Sequence, residues 1–183
     1  TAGNLVFQGT ADGRFVAFAS TGAGLIAGDT NGRSDVFVRD RNGTGTTHRA
    51  SVKPDGSQAG ATAGGSRWPS ISADGRFVAF ESTFTDLVAG GTASSDVYLR
   101  DRGTTPTTVR VSLGPAGVAG DGNSTFPSVS DDGRYVSFSS DATNLVEGDT
   151  NARADVFRRD RTDSATIRLS MSSDDTQGTL TAS

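Results

Sequence analysis

Apolar positions along this chain fall in short runs set in polar sequence. Phe15-Val16-Ala17-Phe18, Phe77-Val78-Ala79-Phe80 and Tyr135-Val136-Ser137-Phe138 each follow an Asp-Gly-Arg triplet, whose glycines, Gly13, Gly75 and Gly133, stand at nearly equal intervals. Runs this short, with apolar side chains on both faces of an extended segment, predict strands packed between two layers rather than amphipathic helices. A second marker, Asp35-Val36-Phe37, Asp96-Val97-Tyr98 and Asp155-Val156-Phe157, recurs at the same interval. Two markers in step mean that a whole unit is repeated three times.

Within the first unit the pattern predicts four short strands: Arg14 to Ala19, Asp35 to Asp40, Thr46 to Val52, and a segment near Trp68 to Ser72. Asp-Gly at 12–13, 74–75 and 132–133 is a strong hairpin signal, with strands expected on both sides. The units are placed at 11–72, 73–130 and 131–183, the third incomplete because its fourth strand is lacking. Residues 1–10, with Leu5, Val6, Phe7 and Gln8, then read as a strand that closes the same chain or completes the third unit of another copy. Phe77 is expected in the core and Phe84 in a loop that follows it.

Composition sharpens the class. Asp outnumbers Glu, Arg outnumbers Lys, and Ser, Thr and Gly are abundant, so turn and strand formers dominate and the fold class is all-β. The net charge of −4 argues against nucleic-acid binding through bulk charge, and no apolar run approaches the ~20 residues of a membrane-spanning helix. With no Cys, one His (His48) and one Lys (Lys53), thiol chemistry is excluded and a catalytic triad nearly so. No charged leader with an apolar stretch is present, so an export signal has been removed or lies outside this sequence.

A repeated unit of four strands is the logic of stacked blades, each burying its faces on its neighbours. Ser72-Ala73-Asp74-Gly75-Arg76-Phe77-Val78-Ala79-Phe80-Glu81-Ser82, and the stretch Asp141 to Asn151 followed by Asp155-Val156-Phe157, resemble the PD40 repeat of TolB-like bacterial β-propellers. The resemblance covers nearly the whole chain. It implies β-propeller blades in an exported protein of the periplasm, cell surface or extracellular space, and a binding role at the propeller rim. Three blades fall short of the usual four to eight, which favours assembly of copies into a ring or a filament, or a larger ring of which this is a part.

Candidate chemistry lies in the loops. Asp29, Asn31 and Asp35, repeated as Asp149, Asn151 and Asp155, put oxygen donors at the first, third and seventh positions of a short loop, which suits Ca²⁺. The same residues form Asx-turns equally well, and the second unit, with Gly90-Gly91-Thr92, lacks the first two donors. Asp40-Arg41, Asp101-Arg102 and Asp160-Arg161 read as hairpin starts with paired charges. His48 reads as a surface residue, and Trp68 and Phe126, each followed by Pro-Ser, as core packing. Asn42-Gly43-Thr44 and Asn123-Ser124-Thr125 are glycosylation sequons in expected loops. The expected function is a non-enzymatic exported scaffold that assembles by strand exchange. The alternative is a module that binds a protein, peptide or glycan, with no nucleic acid and no membrane insertion in either case.

Overall fold

The computed structural model describes residues 7–43, 45–60, 64–174 and 176. Among these residues twelve strands form three four-stranded antiparallel sheets. The first holds β1 (Phe7–Gly9), β2 (Phe15–Ser20), β3 (Asp35–Asp40) and β4 (Thr46–Arg49). The second holds β5 (Ser66–Ile71), β6 (Phe77–Ser82), β7 (Asp96–Asp101) and β8 (Thr107–Arg110). The third holds β9 (Ser124–Val129), β10 (Tyr135–Ser140), β11 (Asp155–Asp160) and β12 (Ala165–Arg168). Strand order follows chain order in each, so every sheet is a simple meander.

This grouping corrects the unit boundaries. The segment around Trp68 is the first strand of the second sheet, pairing with β6 through Ser70↔Ala79 and Ile71↔Val78, and not the fourth strand of the first. The Asp-Gly turn dictates it. Gly75 N–H donates to the Ser72 carbonyl at 2.9 Å, with Gly75 at φ +74°, and the tight turn leaves the flanking segments no partner but each other. The third sheet therefore has all four strands. Likewise β1 pairs with its own β2, Phe7 opposite Phe18 and Gln8 opposite Ala17, so Phe7 and Gln8 are not donated to another copy. Leu5 and Val6 lie outside the described residues.

The sheets stack face to face, and the core is two layers between them. Phe15, Ala17, Val36 and Val38 of the first sheet meet Val78, Phe80 and Tyr98 of the second. Phe77, Ala79, Val97 and Leu99 of the second meet Val136, Phe138 and Phe157 of the third. Alternate residues of β6 thus serve opposite layers, and all six of its residues are buried. Phe84 is fully buried in the first layer, which corrects its assignment to a loop outside the core: the chain folds back after β6 and lays the ring against Gly60 and Gly64. Each large side chain buried this way contributes roughly 1.5–3 kcal/mol.

Candidate functional site

The Asp and Asn residues expected to ligate calcium are brought together, around an arginine. In the first sheet Arg49, at the end of β4, points back under the loop between β2 and β3. Its guanidinium lies 2.9 Å from Asp29 and 3.5 Å from Asp35, and all three side chains are almost wholly buried. Asp35 also accepts hydrogen bonds from the Ser51 hydroxyl at 2.6 Å and the Asn31 amide at 2.9 Å. Burial pushes the Asp35 carboxyl up, opposed by those hydrogen bonds and by Arg49. Asn31 spends its oxygen on the Arg33 N–H at 2.9 Å, which is the Asx-turn.

The third sheet repeats this. Arg168 approaches Asp149 at 3.5 Å and Asp155 at 3.8 Å, Asn151 donates to Asp155 at 3.0 Å, and Ser170 donates to Asp155 at 2.5 Å. The second sheet shows how the pattern survives without two of the donors. Arg110 sits 3.2 Å from Asp96 and donates to the Gly90 carbonyl at 2.9 Å, while Thr92 donates to Asp96 at 2.6 Å in place of the asparagine. One backbone carbonyl thus stands where the other sheets use a carboxylate. In each sheet a guanidinium supplies the positive charge that the carboxylates require, and a divalent cation would have to share that space with it.

Sequence reasoning missed these arginines because they lie more than a dozen positions beyond the last aspartate of each loop. The signal was present in Arg49-Ala50-Ser51, Arg110-Val111-Ser112 and Arg168-Leu169-Ser170, where an arginine and a serine recur in the same relative positions. Ser112 donates to Asp96 at 2.7 Å, so the serine has the same role in all three.

In the Asp-Arg pairs the two members take separate partners, and the arginine bonds a backbone carbonyl where a neighbouring carboxylate was expected. Asp40, Asp101 and Asp160 pair with Arg14, Arg76 and Arg134 at 3.1, 2.8 and 2.7 Å. These arginines hold all three carboxyls below the ordinary aspartate range. Arg41, Arg102 and Arg161 donate to the carbonyls of Gly13, Gly75 and Gly133 and tie the Asp-Gly turns down. His48 is exposed, 3.2 Å from the Thr46 hydroxyl. The second sequon is only partly a loop: Asn123 is exposed just before β9, its oxygen accepting from Ser95 N–H at 3.0 Å, while Ser124 opens β9 fully buried. In the first, Asn42 lies in an exposed turn and Thr44 lies outside the described residues.

Trp68 and Phe126 are a correction. Both have positive φ, 51° and 52°, at irregularities in the pairing of β5 and β9, which breaks the in-out alternation and turns the rings out of the core. Phe126 is 58% exposed, and the two rings meet edge to face with centroids 4.8 Å apart. Beside them Arg67 pairs with the buried Glu81 at 2.7 Å, and Ser95 donates to the same carboxylate oxygen at 2.8 Å.

Among the described residues, exposed apolar side chains also lie at the two ends of the stack of sheets. Val156 is 43% exposed where its counterparts Val36 and Val97 are at 0%, and Leu25 is 38% exposed where Leu87 and Leu145 are at 0% and 1%.

Three four-stranded meanders stacked through both faces define consecutive blades of a β-propeller. Solved structures agree. TolB from Acinetobacter baumannii superposes with a TM-score of 0.52 at 16% identity, over 91% of this chain and 32% of that one. A protein assigned as TolB from Agrobacterium tumefaciens gives 0.55 at 19% identity, over 91% and 46%. The tricorn protease gives 0.50 at 13% identity, over 92% and 19%. The fold is that of TolB-like propellers, and the chain spans less than half the length of each of these proteins. No protein-family model matches the sequence. No curated protein matches it either. Since a protease shares the fold, architecture alone does not assign or exclude catalysis.

Proposed function

We propose that this chain is a non-enzymatic, exported propeller scaffold that works by assembly through its blades. The observation that supports it is the contrast at the ends of the stack: residues fully buried at the internal layers, such as Val36 and Val97, have an exposed counterpart in Val156. A blade face of this kind is half of a core and gains free energy by being covered. Assembly here means face on face rather than strand exchange, because each described sheet already has four strands of its own. The repeated charges serve the fold: the loop carboxylates neutralise buried arginines and the turn carboxylates pair across strands.

Sedimentation velocity over a concentration series tests the reading, with self-association expected. Turnover of an ester, peptide or glycoside substrate abolished by one aspartate substitution would overturn the non-enzymatic part. Among the described residues no helix is long and apolar enough to cross a membrane.

A second reading, a module that binds a peptide or glycan, draws on the pair formed by the half-buried Trp68 and the exposed Phe126, since two large aromatics held at positive φ cost backbone strain that a ligand contact would offset. Titration of Trp68 fluorescence with peptides and oligosaccharides tests it, and an unchanged spectrum counts against it.

A further inference from the structure

Both internal junctions are built from the same contacts. A phenyl ring of one sheet lies under the Asp-Gly turn of the next: a Cβ on Gly75 would fall 2.4 Å from the Phe15 ring, and one on Gly133 2.3 Å from Phe77. An arginine of the following sheet covers the same ring, Arg102 at 5.7 Å from Phe15 and Arg161 at 5.5 Å from Phe77. A threonine of the following sheet donates to a carbonyl just beyond the preceding one, Thr108 to Val52 at 2.7 Å and Thr166 to Leu113 at 2.5 Å. Arg100 and Arg159 reach the same two segments, at Lys53 and Leu113. Side chains also tie the inner strands together, Ile71 N–H to Gln8 at 2.8 Å and Val129 N–H to Ser70 at 3.1 Å.

Each end of the stack carries one half of this set. The first sheet has the following-side half: Gly13, where an added Cβ would meet only Arg41, together with Arg41 itself and the Arg39–Thr47 pair. The third sheet has the preceding-side half: the half-buried Tyr135 at the position of Phe15 and Phe77, the exposed Ser128 at that of Gln8 and Ser70, and Met171 at that of Val52 and Leu113. Met171 N–H donates to Leu169 O as Val52 does to Ala50 and Leu113 does to Val111, so the backbone there has the same local shape.

We propose that the two halves bind each other between copies: the third sheet of one protomer packs head to tail on the first sheet of a second, continuing the stack in the internal register. This rests on the assembly reading above and names its partner and its register. The Gly13 turn of one copy would cover Tyr135 of the other, and Thr47 would donate to the Met171 carbonyl. The two faces differ, so the contact is heterologous, and two copies closing both contacts make six blades, within the range of known propellers. The seam is more polar than the internal ones. Ser137 stands where they have Ala17 and Ala79, and Arg158, 4.7 Å from the Tyr135 ring, stands where they have Val38 and Leu99. The contact therefore dissociates on dilution, whereas the internal junctions hold until the chain unfolds.

Light scattering on the full chain, with Val156→Asp and Thr47→Glu as face variants, tests this. The wild type is expected at twice the 18.7 kDa protomer mass when concentrated, falling toward the protomer mass on dilution, and each variant alone at the protomer mass. Mixing the two variants restores one intact junction and raises the mass again, which a self-complementary interface would not do. Neither altered side chain is fully buried, and unchanged circular dichroism confirms that the variants fold. A wild type that stays at the protomer mass overturns both the proposal and the assembly reading. Association that survives both variants, or is not restored by mixing, overturns this register and leaves the assembly reading standing. Open-ended growth overturns the closed ring.

Discussion

Arg49 and Asp29 meet at 2.9 Å with both side chains almost wholly out of water. A pair buried this deeply is conditional: each charge is tolerable only while the other is there.

Replacing Arg49 with alanine is accordingly expected to strand two carboxylates and to cost about 3–5 kcal/mol. Calcium or a chelator is expected to leave the wild-type melting midpoint unchanged, because the guanidinium supplies the balancing charge. Thermal melts with Ca²⁺ and with EDTA, on wild type and Arg49→Ala, check both; a chelator-sensitive wild type would support the calcium reading of Asp29, Asn31 and Asp35.

Phe84→Ala is expected to cost as much as a central strand phenylalanine, about 3–5 kcal/mol. The ring is 1% exposed in the first layer, although it follows β6 in what reads as a loop. Denaturant midpoints of Phe84→Ala and Phe77→Ala should be lowered comparably.

Gly75→Ala and Gly13→Ala separate backbone strain from packing. Both sites have positive φ, +74° and +68°, so both substitutions carry about 1–2 kcal/mol of left-handed strain. Only at Gly75 does the new methyl collide with a ring, Phe15 at 2.4 Å, whereas at Gly13 the nearest atom is an arginine nitrogen at 3.5 Å. Gly75→Ala should be clearly the less stable of the two in urea.

Acid should loosen the turns. Asp40, Asp101 and Asp160 are held below the ordinary aspartate value by Arg14, Arg76 and Arg134. A depressed folded pKa gives stability that is present above the unfolded value, about 3.9, and is lost as pH falls through the folded one. The melting midpoint is expected to hold from neutral pH to about 5 and to drop below about 4. Asp101→Asn should flatten that drop.

Much of this fold was legible as repetition. The Asp-Gly turns, the strand after each, and the Asp-Val-aromatic strand all lie where the periodicity puts them, because tight turns and doubly packed strands are written in adjacent residues. The grouping of strands into sheets was not, since the same four strands per period can be divided at either end, and only the hairpin at Gly75 decides in favour of Ser66–Ile71 opening the second sheet. The loop clusters were half legible. Their carboxylates are local, but Arg49, Arg110 and Arg168 arrive from a strand well separated from the loop along the chain. Trp68 and Phe126 escaped because hydrophobicity predicts burial, while a bulge with positive φ decides on which side of the strand a ring emerges.

The arginine clusters have one more consequence. Arg49 with Asp29 and Asp35, Arg110 with Asp96, and Arg168 with Asp149 and Asp155 are each closed within one sheet and its own loop, while the layers between sheets are largely apolar. A gene that gains or loses one repeat-length segment would therefore add or remove a unit whose deepest charges are already neutralised. Blade number in such a protein can change by duplication without unpairing these buried arginines in the neighbouring blades, leaving partly exposed pairs such as Lys53–Asp86 to be remade across the new junction.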